Sequence, residues 1–269
     1  MLPIQMWTIR NCYLALALTF VTGLNPAMRA QTGRGDSRAQ FEVATIKPHN
    51  PDLPGFGIAI TGRRFTGVNV SVSSLMAFAY TLHPRQIVDA PGWIESERFD
   101  IVAEGAEGDG TSMKLLAQRL LTDRFHLAFH RAQKELSVFE LVPAKSGPKL
   151  ANYPGDPNGK GTFGFHALGS MEVHDATVAD FVGWMQRYIV DRPVVDHTSV
   201  AGHYTFNLTW KPDEFQFTPI ARALPVDPAN NELPDLYTAL EQQLGLKLRS
   251  TKALVEVFAV DRMDRPTAN

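Results

Sequence analysis

The sequence predicts an α+β fold of two tandem related units, each with two short helices packed against small, mostly antiparallel sheets. Three observations predict it. Short runs of period-two hydrophobic alternation flank segments of helical periodicity, the signature of mixed strands and helices. The same order of segments occurs twice along the chain. The 269 residues are 44% hydrophobic and 20% charged, the profile of a folded globular protein and not of a disordered one.

The internal repeat organises everything else. Residues 65–82 (FTGVNVSVSSLMAFAYTL) align without a gap on residues 171–188 (MEVHDATVADFVGWMQRY) at an offset of 106, placing Ser71 on Thr177, Leu75 on Phe181 and Phe78 on Trp184. Further along, at an offset of 119, Ala117, Leu121 and Phe125 fall on Leu236, Leu240 and Leu244, and Phe139 and Leu141 on Phe258 and Val260.

Each unit reads in the same order. A hairpin opens it, residues 57–61 turning at Gly62-Arg63, or residues 162–167 turning at Gly169-Ser170. Ser71 or Thr177 then stands at a helix N-cap, and Asp180, three residues after Thr177, approaches a capping box. Val72, Leu75, Met76 and Ala79 line one helix face, as do Val178, Phe181, Val182 and Met185 in the second unit. Two short strands and a second helix follow, the latter with Leu116, Leu120 and Leu121, or Leu236, Leu240 and Leu244. A closing hairpin ends each unit, residues 127–131 with 136–142 and residues 246–249 with 254–260. The strand-like residues 41–47 lack a counterpart and would tie the units together if they crossed over.

The predicted organisation is a signal peptide (1–30), a flexible leader (31–40), a first α+β unit (41–144), a linker (145–160), a second unit (161–262) and a tail (263–269). Residues 145–160 (KSGPKLANYPGDPNGK) have the composition of a linker and favour separable units. The units differ most in one loop, residues 104–112 against the longer, proline-rich residues 211–235, and long loops tend to carry function.

The amino terminus reads as an export signal. One charge, Arg10, precedes the apolar run at residues 13–24, followed by Pro26 and small residues ending at Ala30, and cleavage at Ala30, at Ala27 or not at all stays open. A run of about a dozen residues falls short of the ~20 that span a bilayer, so no stable membrane span is expected after cleavage. The expected location is periplasmic or extracellular. Cleavage removes Cys12, the only cysteine, leaving a mature chain that must rely on core burial instead of disulfides. It also leaves 24 basic and 28 acidic side chains, with no cationic surplus for nucleic acid.

Two resemblances attach to these residues. FEVATIKP (41–48), GRRFTGVNVSVSSLMAFAY (62–80), PGWIESERFDIVAEG (91–105), LLTDRFHLAFHRAQKELSVFELVPAKSGPKL (120–150), RPVVDHTSVAGHYTFNLTW (192–210) and LYTALEQQLGLKLRSTK (236–252) make the chain similar to a large exported protein family of unknown function from soil, chiefly acidobacterial, genomes. The sequence departs from that family at Ala253-Leu254, where the family tends to place Gly-Pro. The element order of each half, with YTALEQQLGLKLRS, also resembles the short amino-terminal domain of secretins and TonB-dependent receptors. That resemblance implies a module contacting other envelope proteins, and neither resemblance transfers a catalytic residue.

No motif in the chain declares a chemistry. His126 and His130 have metal-pair spacing, but on a strand they stand ~13 Å apart, too far for one ion. His166 and His174 bracket a hairpin turn. Asp196, His197, Ser199 and His203 lie close in sequence without a GxSxG elbow. No Gly-rich strand-to-helix loop suits a phosphate, since residues 105–110 are acidic. No catalytic, cofactor-binding or metal-binding residue is assigned, and no cofactor is expected. The residues assigned to partner binding are Trp93, in a loop after Pro91-Gly92, and Arg63 with Arg64 at a hairpin tip.

The expected function is that of a non-catalytic interaction or sensor module contacting an envelope protein or extracellular polymer. An open sheet edge beside an aromatic patch would support it. The alternative is an exported hydrolase, which requires at least two of His166, His174, His197 and His203 to converge on a carboxylate between the units.

Overall fold

The computed structural model describes residues 41–105, 112–155, 161–217 and 224–266. The expected signal segment with Cys12 and the leader lie outside these residues. The first half runs β1 (Phe41–Pro48), β2 (Gly57–Thr61), β3 (Arg64–Val70), α1 (Val72–Tyr80), β4 (Ile87–Val88), α2 (Trp93–Ser96), β5 (Phe99–Gly105), α3 (Met113–Phe125) and β6 (Ala128–Pro143). The second runs β7 (Thr162–Ala167), β8 (Ser170–Ala176), α4 (Val178–Trp184), β9 (Val194–Asp196), β10 (Tyr204–Thr209), α5 (Leu236–Ala239) and β11 (Leu246–Arg262). The helices and the three mostly antiparallel sheets make an α+β fold. None of the described helices is long and apolar enough to cross a membrane.

Local chemistry explains the opening of each half. Gly62 and Gly169 take positive φ at the two hairpin tips, where a side chain would be strained. Ser71 accepts a hydrogen bond from the Ser74 amide and starts α1. Thr177 and Asp180 form a reciprocal capping box at α4, with bonds of 3.1 and 3.2 Å. Behind each cap a bulge residue turns left-handed. The Asn69 amide donates to the Asp100 carboxylate, and the Asp175 amide to the Thr205 hydroxyl.

The hairpins build two sheets of matching order, β1-β5-β3-β2 and β10-β8-β7. In the first, β1 pairs with β5 of its own half and does not cross over. In the second, a bridge between Asn152 and Tyr204 stands where Pro48 meets Phe99 in the first. The Tyr153 amide bonds the His203 carbonyl just as the His49 amide bonds that of Arg98. Residues 41–48 therefore do have a short spatial counterpart, within the segment read as a linker. Residues 145–155 of that segment are docked as well: the Lys149 amide donates to the Leu244 carbonyl, and Leu150 packs on the second core.

A third sheet, β4-β11-β6-β9, joins the halves. Here the closing hairpins expected from the sequence are corrected: each is one uninterrupted strand, β6 of 16 residues and β11 of 17, and the two pair with each other. The reason is local. Neither Ala132-Gln133-Lys134-Glu135 nor Ser250-Thr251-Lys252-Ala253 offers the Gly, Asn or Pro that a tight turn needs, so nothing reverses the chain. The short strands then cross over. β4 pairs in parallel with β11 at Phe258 and Ala259, and β9 with β6 from Phe139 to Leu141.

This exchange reaches into the cores. β6 places Phe139 and Leu141 in the second core with Met171, Phe181, Trp210 and Leu240. β11 ends by placing Val260 in the first core with Phe65, Ile101, Leu121 and Phe125. Each half thus completes its apolar burial with a strand from the other.

Candidate functional site

The residues assigned to partner binding from the sequence stand at opposite ends of β5. Trp93 opens the one-turn helix α2 instead of lying in a loop. It is half-buried against the first core, with the Arg265 guanidinium 5.2 Å above its ring. Arg265 is itself held by Glu97 at 2.7 Å. Arg63 donates to the Gly105 carbonyl at 3.1 Å, and Arg64 lies 3.8 Å from Glu104. The structure does not gather Trp93, Arg63 and Arg64 into one site.

The histidines are dispersed among separate partners. His126 is not on a strand but caps α3 in a left-handed conformation, 3.2 Å from Asp264. His130, on β6, pairs with Asp261. His166 meets Glu172 at 3.0 Å, and His197 lies 3.7 Å from Glu140. His203 binds Asp175 at 2.9 Å, and the Asp175 backbone carbonyl and carboxylate raise its pKa. His174 sits by the Thr205 hydroxyl under the ring of Tyr153. The four histidines of the hydrolase reading meet no common carboxylate. Among the described residues no group of three or more His, Cys, Asp and Glu is placed to hold a metal ion.

An aromatic group beside a free edge is the most distinctive feature of the second half. Strand β7 is the outermost strand of its sheet, and among the described strands only β8 pairs with it. Phe163 and Phe165, two residues apart on β7, share one face. Trp184, from the end of α4, stacks on Phe163 at 4.7 Å and 17° and lies 5.8 Å from Phe165. Tyr188 lies 4.8 Å from Trp184 and edge-on to Phe165. All four rings are half-buried on the rim of the second core.

The long loop unique to the second half walls this group. Phe217, at φ 56°, presents its ring 5.3 Å from Phe165 and stacks on buried Trp210. Gln216 accepts from the Trp210 indole at 2.7 Å and donates to Asp213 at 2.8 Å, fixing the loop. The corresponding strand register in the first half, Ile58 opposite Gly67 and Ile60 opposite Phe65, carries aliphatic side chains instead. Phe78 and Leu82 stand there where the second half has Trp184 and Tyr188, and both are buried.

Next to this group lies a cation. Arg187 follows α4 in a π-helical turn, Met185–Ile189, and its guanidinium stands 4.9 Å from the rings of both Phe78 and Tyr188. Burial lowers its pKa. Neither Arg187 nor the aromatic group is marked by a sequence motif, although the alignment of Phe78 with Trp184 contains part of the signal.

At the junction of the halves, His83 is 6% exposed. Its Nδ1 accepts from the Arg85 amide at 3.1 Å, its backbone amide donates to Gln86, and its ring also bonds the Val190 carbonyl. Burial, reinforced by the Arg85 charge, pushes its pKa down to about 4. Asp191 bonds Arg192 at 2.9 Å and Arg85 at 3.3 Å, and the Arg192 hydrogen bond holds its carboxyl below the usual range.

A family model described as a protein of unknown function (DUF3738) matches residues 73–263. No curated protein and no solved structure matches the chain. The matched span begins inside α1, so it omits β1, β2 and β3, which supply Ile46, Phe65 and Val70 to the first core.

Proposed function

The chain belongs to the DUF3738 family of proteins of unknown function, and we propose that it is an exported, non-catalytic binding module that takes an extended polypeptide segment of an envelope partner onto the free edge of β7. The observation that carries this reading is the coincidence of an unpaired strand edge with four half-buried aromatic rings, Phe163, Phe165, Trp184 and Tyr188. An edge offers main-chain hydrogen bonds to an added strand, and aromatic side chains supply the contact energy that concentrates at interface hot spots. Export is supported by the pattern of the first thirty residues.

The two halves arise, in this reading, by duplication of one unit. Support comes from the matched sheet orders and from the exchange of β4, β6, β9 and β11 between halves. Duplication leaves one copy free to diverge, and the second carries Phe163, Phe165, Trp184 and Tyr188 where the first has Ile58, Ile60, Phe78 and Leu82.

The test is affinity capture from envelope extract of the source organism with tagged residues 31–269, alongside Phe163→Lys, Trp184→Ala and Trp93→Ala variants. A discrete polypeptide retained by the parent chain and by Trp93→Ala, but lost from the two β7-side variants, supports the reading. Loss only with Trp93→Ala moves the surface to α2. Retention of nothing by any chain contradicts a binding role.

A further inference from the structure

Among the described residues Arg187 is a charged group without an anion. Among the described residues no carboxylate, carbonyl or hydroxyl accepts from its guanidinium, whose two ring contacts are with Phe78 and Tyr188. The other arginines at this junction differ: Arg85 and Arg192 share Asp191. No side-chain nitrogen or oxygen among the described residues is both fully buried and unbonded, and Arg187 is half-buried, so its unbonded guanidinium nitrogens keep some contact with solvent.

Such a cation is prepared for an anion. The two rings strip water from the guanidinium and fix its orientation, which removes part of the desolvation and ordering cost of binding. The guanidinium's donor nitrogens have a fork geometry that matches a carboxylate through two parallel hydrogen bonds. Lys has neither the fork nor the flat faces for stacking.

The position of Arg187 selects the occupant. Tyr188 bridges it to the β7 side, contacting the guanidinium with one part of its surroundings and Phe165 and Trp184 with another. A strand added to β7 sets alternate side chains beside Phe163 and Phe165 on the same face. A carboxylate on a long side chain among them reaches toward Tyr188, where the unpaired cation gives charge complementarity.

Resting on the binding role proposed above, we infer that the β7 surface is selective for an extended peptide bearing an acidic side chain, whose carboxylate is received by Arg187 between Phe78 and Tyr188.

The probes are two rhodamine-labelled, carboxyl-terminally amidated hexapeptides of alternating Thr and Val, one with a central Glu and its twin with Gln, titrated against the full mature chain by fluorescence anisotropy. The Glu peptide is expected to bind at least tenfold tighter at low salt, with the preference shrinking as NaCl rises. Arg187→Gln should remove the preference. Arg187→Lys should recover less than half of the preference on a logarithmic scale. Thermal unfolding of both variants verifies that they fold, and Arg187→Lys serves alone if Arg187→Gln does not. Equal binding of the two peptides by the parent chain, or a preference that survives loss of Arg187, overturns the inference while leaving the edge-binding role intact. Binding of neither peptide overturns the inference too, and affinity capture then decides the broader role separately.

Discussion

Arg85 and Asp191 form an ion pair of 3.3 Å across the junction of the two halves, and they are 106 residues apart, the offset at which the halves align in sequence. A second contact has the same character. Glu135 of β6 stands directly opposite Leu254 of β11, and these are the positions that the later offset of 119 superposes. Under the proposed duplication, residues that contact their own counterparts lie on a local two-fold axis, as at the isologous interface of a homodimer. The proposed duplication turns such an interface into an intramolecular one.

The junction should not depend on its visible ion pair. Arg85 and Asp191 are 56% and 34% exposed at the side chain, and solvent-exposed pairs contribute roughly 0–1 kcal/mol. Arg85→Ala is therefore expected to lower the unfolding free energy by less than about 1 kcal/mol, as read from urea denaturation near neutral pH.

His83 should make stability fall in mild acid. Its folded pKa is about 4 against an ordinary 6.5, so between these values the unfolded chain binds a proton that the folded chain does not. Stability is then full above pH 6.5 and declines as pH falls toward 4, by up to about 3 kcal/mol. Urea titrations across that window should show the slope in the parent chain and a flatter one in His83→Asn. Equal slopes would remove His83 as the cause.

The first half should not fold alone as a monomer. A fragment of residues 41–155 leaves β6 without β11, exposing the apolar Phe129 and Leu141 positions and a long unpaired edge. The expected outcome by size exclusion with light scattering is self-association or aggregation. A monomer with cooperative unfolding would contradict the exchanged arrangement.

Gly245 ends the second helix of the second half at φ 64°, and a Cβ there would run into the Gly147 carbonyl oxygen. Gly245→Ala is expected to cost about 1–3 kcal/mol by strain at this position and displacement of residues 146–149, lowering the thermal midpoint. An unchanged midpoint would show that the docked segment contributes little.

Much of the fold was legible because its signals are local. The Ser71 and Thr177 caps, the Gly62 and Gly169 turns and the apolar faces of α1 and α4 follow from residue type and spacing alone. The pairing of β6 with β11 was not. Alternation within residues 127–142 identifies strand without stating its partner, and a hairpin and one long strand share the same period. The binding surface was harder still. Phe163 and Phe165 alternate as in any strand with one face on a core, Trp184 and Tyr188 lie off the apolar helix face read from spacing, and only the sheet order shows that the four gather at an edge. Arg187 carried no signal, since the lack of a partner is a property of three dimensions. Trp93 attracted attention as a lone aromatic after Pro91-Gly92, whereas Arg265, far off in sequence, covers its ring.

The most direct test of the account uses a photo-reactive phenylalanine at position 163, on the β7 edge, and in a second chain at position 58, its counterpart on β2. Both are irradiated in envelope extract of the source organism, and adducts are identified by mass spectrometry. The account predicts a discrete polypeptide adduct from position 163, reduced by Trp184→Ala, and none of that mass from position 58. Adducts of equal yield and mass from both positions, or none from position 163, would contradict it.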